Sequence, residues 1–96
     1  MSALDPIRFT STIRYWDPAK GSGLAVADVP AALIPLVGGL RQQRVQGSIA
    51  GQPFASNVMP AGAGRLALTV SKQMMKSAAV DVGDTVEIAI AAVGRD

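Results

Sequence analysis

Residues Ile7 to Trp16 alternate between two faces. Ile7, Phe9, Ser11, Ile13 and Tyr15 fall on one side, and Arg8, Thr10, Thr12, Arg14 and Trp16 on the other. A period of two, rich in β-branched and aromatic residues, reads as a half-buried strand. Asp17 to Gly23 is a turn cluster, and Leu24 and Val26, with Asp28 after them, continue as a second strand. Val29-Pro30 opens a different pattern. Proline is tolerated in the first turn of a helix and Asp28 is a suitable cap, so Ala31 to Val37 predicts a short helix ended by Gly38-Gly39. Pro35 inside it leaves two short turns as the alternative. Arg44 to Ile49 alternates again, with Val45, Gly47 and Ile49 inward, and Ala50-Gly51 signals a tight turn. Pro53 to Val58 is the returning strand, with Phe54 as its main anchor, and Pro60 to Gly64 reads as a flexible loop. Arg65 to Val70 sets Leu66, Leu68 and Val70 against Arg65, Ala67 and Thr69. Ser71 then caps a helix over Lys72 to Ala79 with Met75 on its buried side. Val80 to Asp84 is a turn, and Thr85 to Ile90 puts Val86, Ile88 and Ile90 inward.

Strand–helix–strand therefore occurs twice, from Leu24 to Ile49 and from Leu66 to Ile90, at an offset of about forty residues. Six short strands, each with one apolar face, must bury those faces together. A small closed barrel does so without open edges. The fold expected is mainly β: a six-stranded barrel with two short helices, built as a single domain over residues 1–96, with a core at about 7–91 and flexible ends.

Composition narrows the chemistry. Hydrophobic residues make up 49% of the 96, but sixteen of them are alanines, so the strongly apolar share suits one modest core. There is no cysteine and no histidine. This excludes disulfides, thiolate nucleophiles, Cys or His metal ligands and a histidine base. Nine Lys/Arg against seven Asp/Glu give a net charge of +2, and the basic residues are scattered along the chain rather than clustered. No apolar run approaches the ~20 residues of a membrane span, and the N-terminus lacks the pattern of a signal peptide. Absence of cysteine fits a reducing, cytoplasmic compartment.

The order of signals resembles one family. Phe9 onward, the Val29-Pro30 helix start, Val45-Gln46-Gly47-Ser48-Ile49-Ala50-Gly51-Gln52-Pro53-Phe54, Met59-Pro60-Ala61-Gly62-Ala63-Gly64, Val70-Ser71-Lys72 and Val82-Gly83-Asp84-Thr85-Val86 follow the pattern of the prokaryotic DUF1905 family, over about residues 7 to 91. The resemblance implies a small barrel akin to the double-split barrels of AbrB-like regulators. It implies no assigned activity. Some members carry a helical C-terminal tail linked to bacteriocin protection, a role not carried over here.

Several residues invite chemical readings. Pro60 to Arg65 is glycine-rich beside a cation, but a phosphate loop opens a helix and a strand follows here. Ser71 and Lys72 are adjacent, whereas a serine–lysine dyad needs them on one helical face, so Ser71 reads as a cap. Lys72 near a helix start is disfavoured by the dipole, which points to an acidic neighbour or an anionic ligand. Asp81, Asp84 and Glu87 read as turn chemistry rather than a metal or acid–base site. Tyr15 and Trp16 face opposite sides of their strand, and Trp16 beside Arg14 can stack a ring or anchor a partner. Arg41 and Arg44 suit the exit of the first helix, and Met74-Met75 suits a packing edge. Arg14, Trp16, Arg41, Arg44, Arg65 and Lys72 are the candidate contacts for an anionic or planar ligand. The expectation is a non-enzymatic binding or interaction module with no cofactor, metal or catalytic residue, no membrane association, and a ligand or protein partner of unassigned identity. It is monomeric or weakly self-associating. The alternatives are an AbrB-like DNA-binding regulator and a binder of a small anionic or planar ligand.

Overall fold

In the computed structural model the described residues are 6–17, 19–21 and 23–93. Six strands form: β1 (Ile7–Tyr15), β2 (Ala25–Val29), β3 (Gln43–Ile49), β4 (Gln52–Gly62), β5 (Arg65–Val70) and β6 (Thr85–Ala92). Helix α1 (Ile34–Val37), entered through a 3₁₀ turn at Ala31–Leu33, joins β2 to β3, and α2 (Lys72–Ala78) joins β5 to β6. Every pairing is antiparallel, and the strands close in the order β1-β2-β5-β4-β3-β6. The expected six-stranded barrel with two short helices is the fold of this chain. Pro18, Ser22 and the ends expected to be flexible lie outside the described residues.

The interior is the alternating set. Phe9 and Ile13 from β1, Val45 and Ile49 from β3, and Val58 from β4 meet Leu66, Leu68 and Val70 from β5 and Val86, Ile88 and Ile90 from β6. On β2 the inward residues are Ala25, Ala27 and Val29. Leu24, expected to start that strand, precedes it and is exposed, and Val26 is buried outside the core cluster. The register explains the phase. Ala27 lies opposite both Ile13 and Leu68, so it must share their face. A small residue facing leucine fills the narrow lumen without overpacking.

The repeat read from the sequence extends to all six strands. Exchanging β1 with β4, β2 with β5 and β3 with β6 reproduces the same neighbours. The registers obey the exchange too: Ile13↔Ala27 corresponds to Val58↔Leu68, and Ser11↔Val86 to Ser56↔Val45. Ser11 Oγ donates to the Asp28 carbonyl at 2.9 Å, and its counterpart Ser56 Oγ donates to the Thr69 carbonyl at 2.7 Å. The same lateral hydrogen bond thus recurs in both halves and satisfies a hydroxyl that faces the lumen. Gly47 sits where β3 crosses β6; an added Cβ would run into the Ala89 carbonyl, so only glycine fits.

Five local expectations change. Asp28 does not cap the first helix. It lies within β2 bound to Arg14, and the first turn starts at Pro30 with Leu33 N–H bonded to the Pro30 carbonyl at 2.9 Å. The helix itself is a 3₁₀ turn followed by one α-helical turn, with Pro35 near its start, where its missing N–H costs nothing. The segment Pro60 to Gly64 is not a flexible loop. β4 runs through Gly62, leaving a two-residue turn at Ala63-Gly64. Pro60 is tolerated because β4 has already left β3 behind at Val58 and pairs only with β5 there. Finally, Val58 is the fully buried anchor of β4, whereas Phe54 is half-buried. On α2 the buried residue is Met74, with Met75 packed partly against the core.

Candidate functional site

β2 and β5 run antiparallel, so the helices that follow them lie at opposite ends of the barrel. At the α2 end a cleft of about 560 Å³ opens between the β1–β2 connection and α2. Its walls come from Tyr15 at the end of β1, Leu24 before β2, and Met75, Val80 and Val82 from α2 and the turn beyond it. Ser71, Lys72 and Asp81 supply its polar groups.

The frame around this cleft is well tied. Ser71 Oγ accepts the Met74 N–H at 3.1 Å, and Met74 sulfur accepts the Ser71 N–H at 3.4 Å. The expected cap is therefore present, with a thioether taking the return bond that Glu or Gln usually makes. Ala79 ends the helix in a left-handed conformation, φ 58°. Asp81 Oδ1 accepts the Val82 N–H at 2.7 Å, and Asp84 Oδ2 accepts the Asp81 N–H at 2.9 Å. The turn is stitched to β1 by Gly83 N–H to the Ile13 carbonyl (2.8 Å) and Ile13 N–H to the Asp84 carbonyl (3.0 Å). The carboxylates of this turn do the backbone work expected of them. Among the described residues no cluster of three metal-ligating side chains forms.

Chemically, the cleft offers aliphatic and aromatic walls, one ammonium group, the Asp81 carboxylate held by the Val82 N–H, and a serine hydroxyl whose oxygen caps the helix while its proton stays free to donate. A volume of this size is that of a small-molecule site.

The six residues singled out from the sequence divide between the barrel's ends. Lys72 lines the cleft. Trp16 stands just past β1, 38% exposed, its N–H bonded to the Leu24 carbonyl at 2.7 Å. Arg14 is on the outer wall and forms a two-pronged pair with Asp28, Nε to Oδ2 and Nη2 to Oδ1, each 2.9 Å. Its guanidinium also donates to the Tyr15 carbonyl at 3.2 Å. The hydrogen bonds from Arg14 hold the Asp28 carboxyl below its ordinary range, outweighing partial burial, and Arg65 adds a weaker attraction. Arg14 is raised by the same bond. Arg41, after α1, Arg44 in β3 and Arg65 at the start of β5 belong to the opposite end. Tyr15, Leu24, Met75, Asp81 and Val82 were missed as cleft residues. Their types read as core or turn, and only the juxtaposition of β1, β2 and α2 makes them a wall.

A closed antiparallel barrel of six strands, with one short helix packed at each end, defines the class: small β-barrel domains. Among the described residues no helix is long and apolar enough to cross a membrane. The chain belongs to the family called Domain of unknown function (DUF1905), whose sequence pattern it matches over residues 9–90. No curated protein matches the chain.

Proposed function

We propose that the protein is a non-enzymatic binding module and that its ligand site is the cleft beside α2. The ligand chemistry that fits is a small, largely apolar molecule with one anionic group. The supporting observation is the cleft's lining: Leu24, Met75, Val80 and Val82 form the walls, with Lys72 at the margin. A carboxylate paired with Lys72 offsets the unfavourable place of that lysine at a helix start. The absence of histidine and cysteine, and the use of Ser71, Asp81 and Asp84 in local hydrogen bonds, support binding without turnover. A cytoplasmic location suits a chain with no thiol to oxidise. The DNA-binding alternative could draw only on the arginines of the α1 end, since Arg14 is engaged by Asp28 and Lys72 lies at the other end; apolar grooves border that end, where duplex binding calls for an unbroken basic face.

Thermal-shift titration with alkyl and aryl carboxylates, octanoate and benzoate among them, tests this reading. A ligand at a hundred times its Kd stabilises by about 2.7 kcal/mol, a rise of several degrees for a domain of this size. Lys72→Gln is expected to weaken that ligand by about tenfold. The reading fails if no carboxylate raises the midpoint, or if the glutamine variant responds like the native protein.

A further inference from the structure

Among the described residues, the end of the barrel that carries α1 is rich in arginine. Strand direction places Arg8 near the start of β1, Arg44 near the start of β3, Arg65 at the start of β5 and Arg41 between α1 and β3. Among the described residues the acidic side chain nearest that end of its strand is Asp28, already paired with Arg14. Asp17, Asp81, Asp84 and Glu87 all belong to the α2 end, together with Lys20, Lys72 and Lys76. A sequence whose charges look evenly mixed thus folds so that its described residues form one balanced end and one arginine-rich end.

Two grooves meet at the arginine-rich end. One, of about 420 Å³, lies between α1 and the ends of β1 and β6 and is walled by Ile7, Leu33, Leu36 and Ala92. The other, of about 500 Å³, crosses the outside of β6 toward Gln46, Ser48 and Pro53. They share Pro6, Arg8 and Ala91, and so form one continuous trough with Arg8 at its middle. The register sets the floor: Ala89 lies between Arg8 on β1 and Ser48 on β3. Leu36, at the rim, is 67% exposed, and Leu40 nearby in the chain is 50% exposed. Such apolar exposure beside Arg8, which has no ion pair among the described residues, marks an interaction surface.

We infer that this trough docks a polypeptide segment of a partner protein in which acidic residues alternate with or flank aliphatic ones. Charge complementarity sets the sign, because Arg8 lines both grooves and has no carboxylate partner among the described residues. The aliphatic walls select a peptide over a nucleic acid, which would call for stacking rings and a line of cations. Closure of the barrel settles the mode. Under the trough β6 is paired on both sides, with β1 and with β3, so the segment docks through its side chains instead of adding a strand there.

Selection of a random dodecapeptide display library on the intact protein tests the inference. Recovered peptides are expected to be enriched in Asp or Glu beside Leu, Ile or Val. Their synthetic copies, followed by fluorescence anisotropy, should lose about tenfold in affinity with Arg8→Glu and with Leu36→Glu, and weaken as salt rises. Both positions are exposed, so circular dichroism should show the folded barrel in each variant. Lys76→Glu, on the far end, should bind as the native protein does. Failure to recover peptides, recovery without acidic enrichment, or affinity indifferent to Arg8→Glu overturns the proposal. So does tighter binding of a thymidine oligonucleotide or random duplex at the same salt.

Discussion

Arg14 and Asp28 are diagonal neighbours across the β1–β2 pair, since Arg14 is in register with Val26. Their contact is two parallel hydrogen bonds rather than a loose approach of charges. Even so, the side chains are 29% and 38% exposed, so water screens the pair and its worth is about 1 kcal/mol or less. The folded Asp28 carboxyl titrates below its ordinary value of 3.8. Its contribution is therefore fully present above that value and is lost as pH falls through the lowered one. Asp28→Asn should accordingly destabilise the protein near neutral pH, and the gap to the native protein should close as pH drops below 3.8. Denaturant midpoints measured at neutral and strongly acidic pH decide it; a constant gap would show that the pair's charge is not what matters. Alternation along β1 had placed Arg14 on the outer face. Its partner was not legible, because Asp28 also suits the helix cap that follows, and only the register of β2 against β1 assigns it.

At the level of elements, the two tight turns carry a correctable strain. Ala50-Gly51 and Ala63-Gly64 both have positive φ at both residues, 49° and 85° in the first, 53° and 74° in the second. Two-residue hairpin turns of this kind favour Asn-Gly, since alanine in the left-handed region costs about 1 kcal/mol. Ala50→Asn and Ala63→Asn should each raise stability by roughly 0.5–1 kcal/mol, and the double variant should gain nearly the sum because the turns lie at opposite ends of β4. Thermal unfolding of the three variants measures this; no gain in either would place the strain elsewhere. The first turn was readable from Ala50-Gly51 alone. The second was hidden among Pro60, Gly62 and Gly64, which suggest a loop until the pairing of Pro60 with Leu66 keeps the segment in the sheet. The cap at Ser71 was readable for the opposite reason: it depends on residues three apart and on nothing distant.

The whole molecule is two similar halves filled unequally. Phe9 on β1 and Phe54 on β4 occupy corresponding places, facing Ile88 and Gly47 respectively. Phe9 is 8% exposed, whereas Phe54 is half-buried and also borders the outer groove. Phe9→Ala should cost about 3–4 kcal/mol, a large share of a small domain's stability, and Phe54→Ala clearly less. Equal losses in urea unfolding would show that the halves are packed alike. By itself the sequence determined which residues face inward on four of the six strands, where most turns and helices interrupt them, and that a single barrel must gather the apolar faces. Those properties follow from local periodicity and from the need to bury one face of every strand. Tertiary structure alone decided the order in which the strands close, the phase of β2, the pairing of Arg14 with Asp28, and the sorting of charge between the two ends. Each of these depends on which residues, often far apart in the chain, become neighbours, and hydrophobic alternation carries no record of that choice. The cleft beside α2 and the trough across β6 exist only as products of that choice.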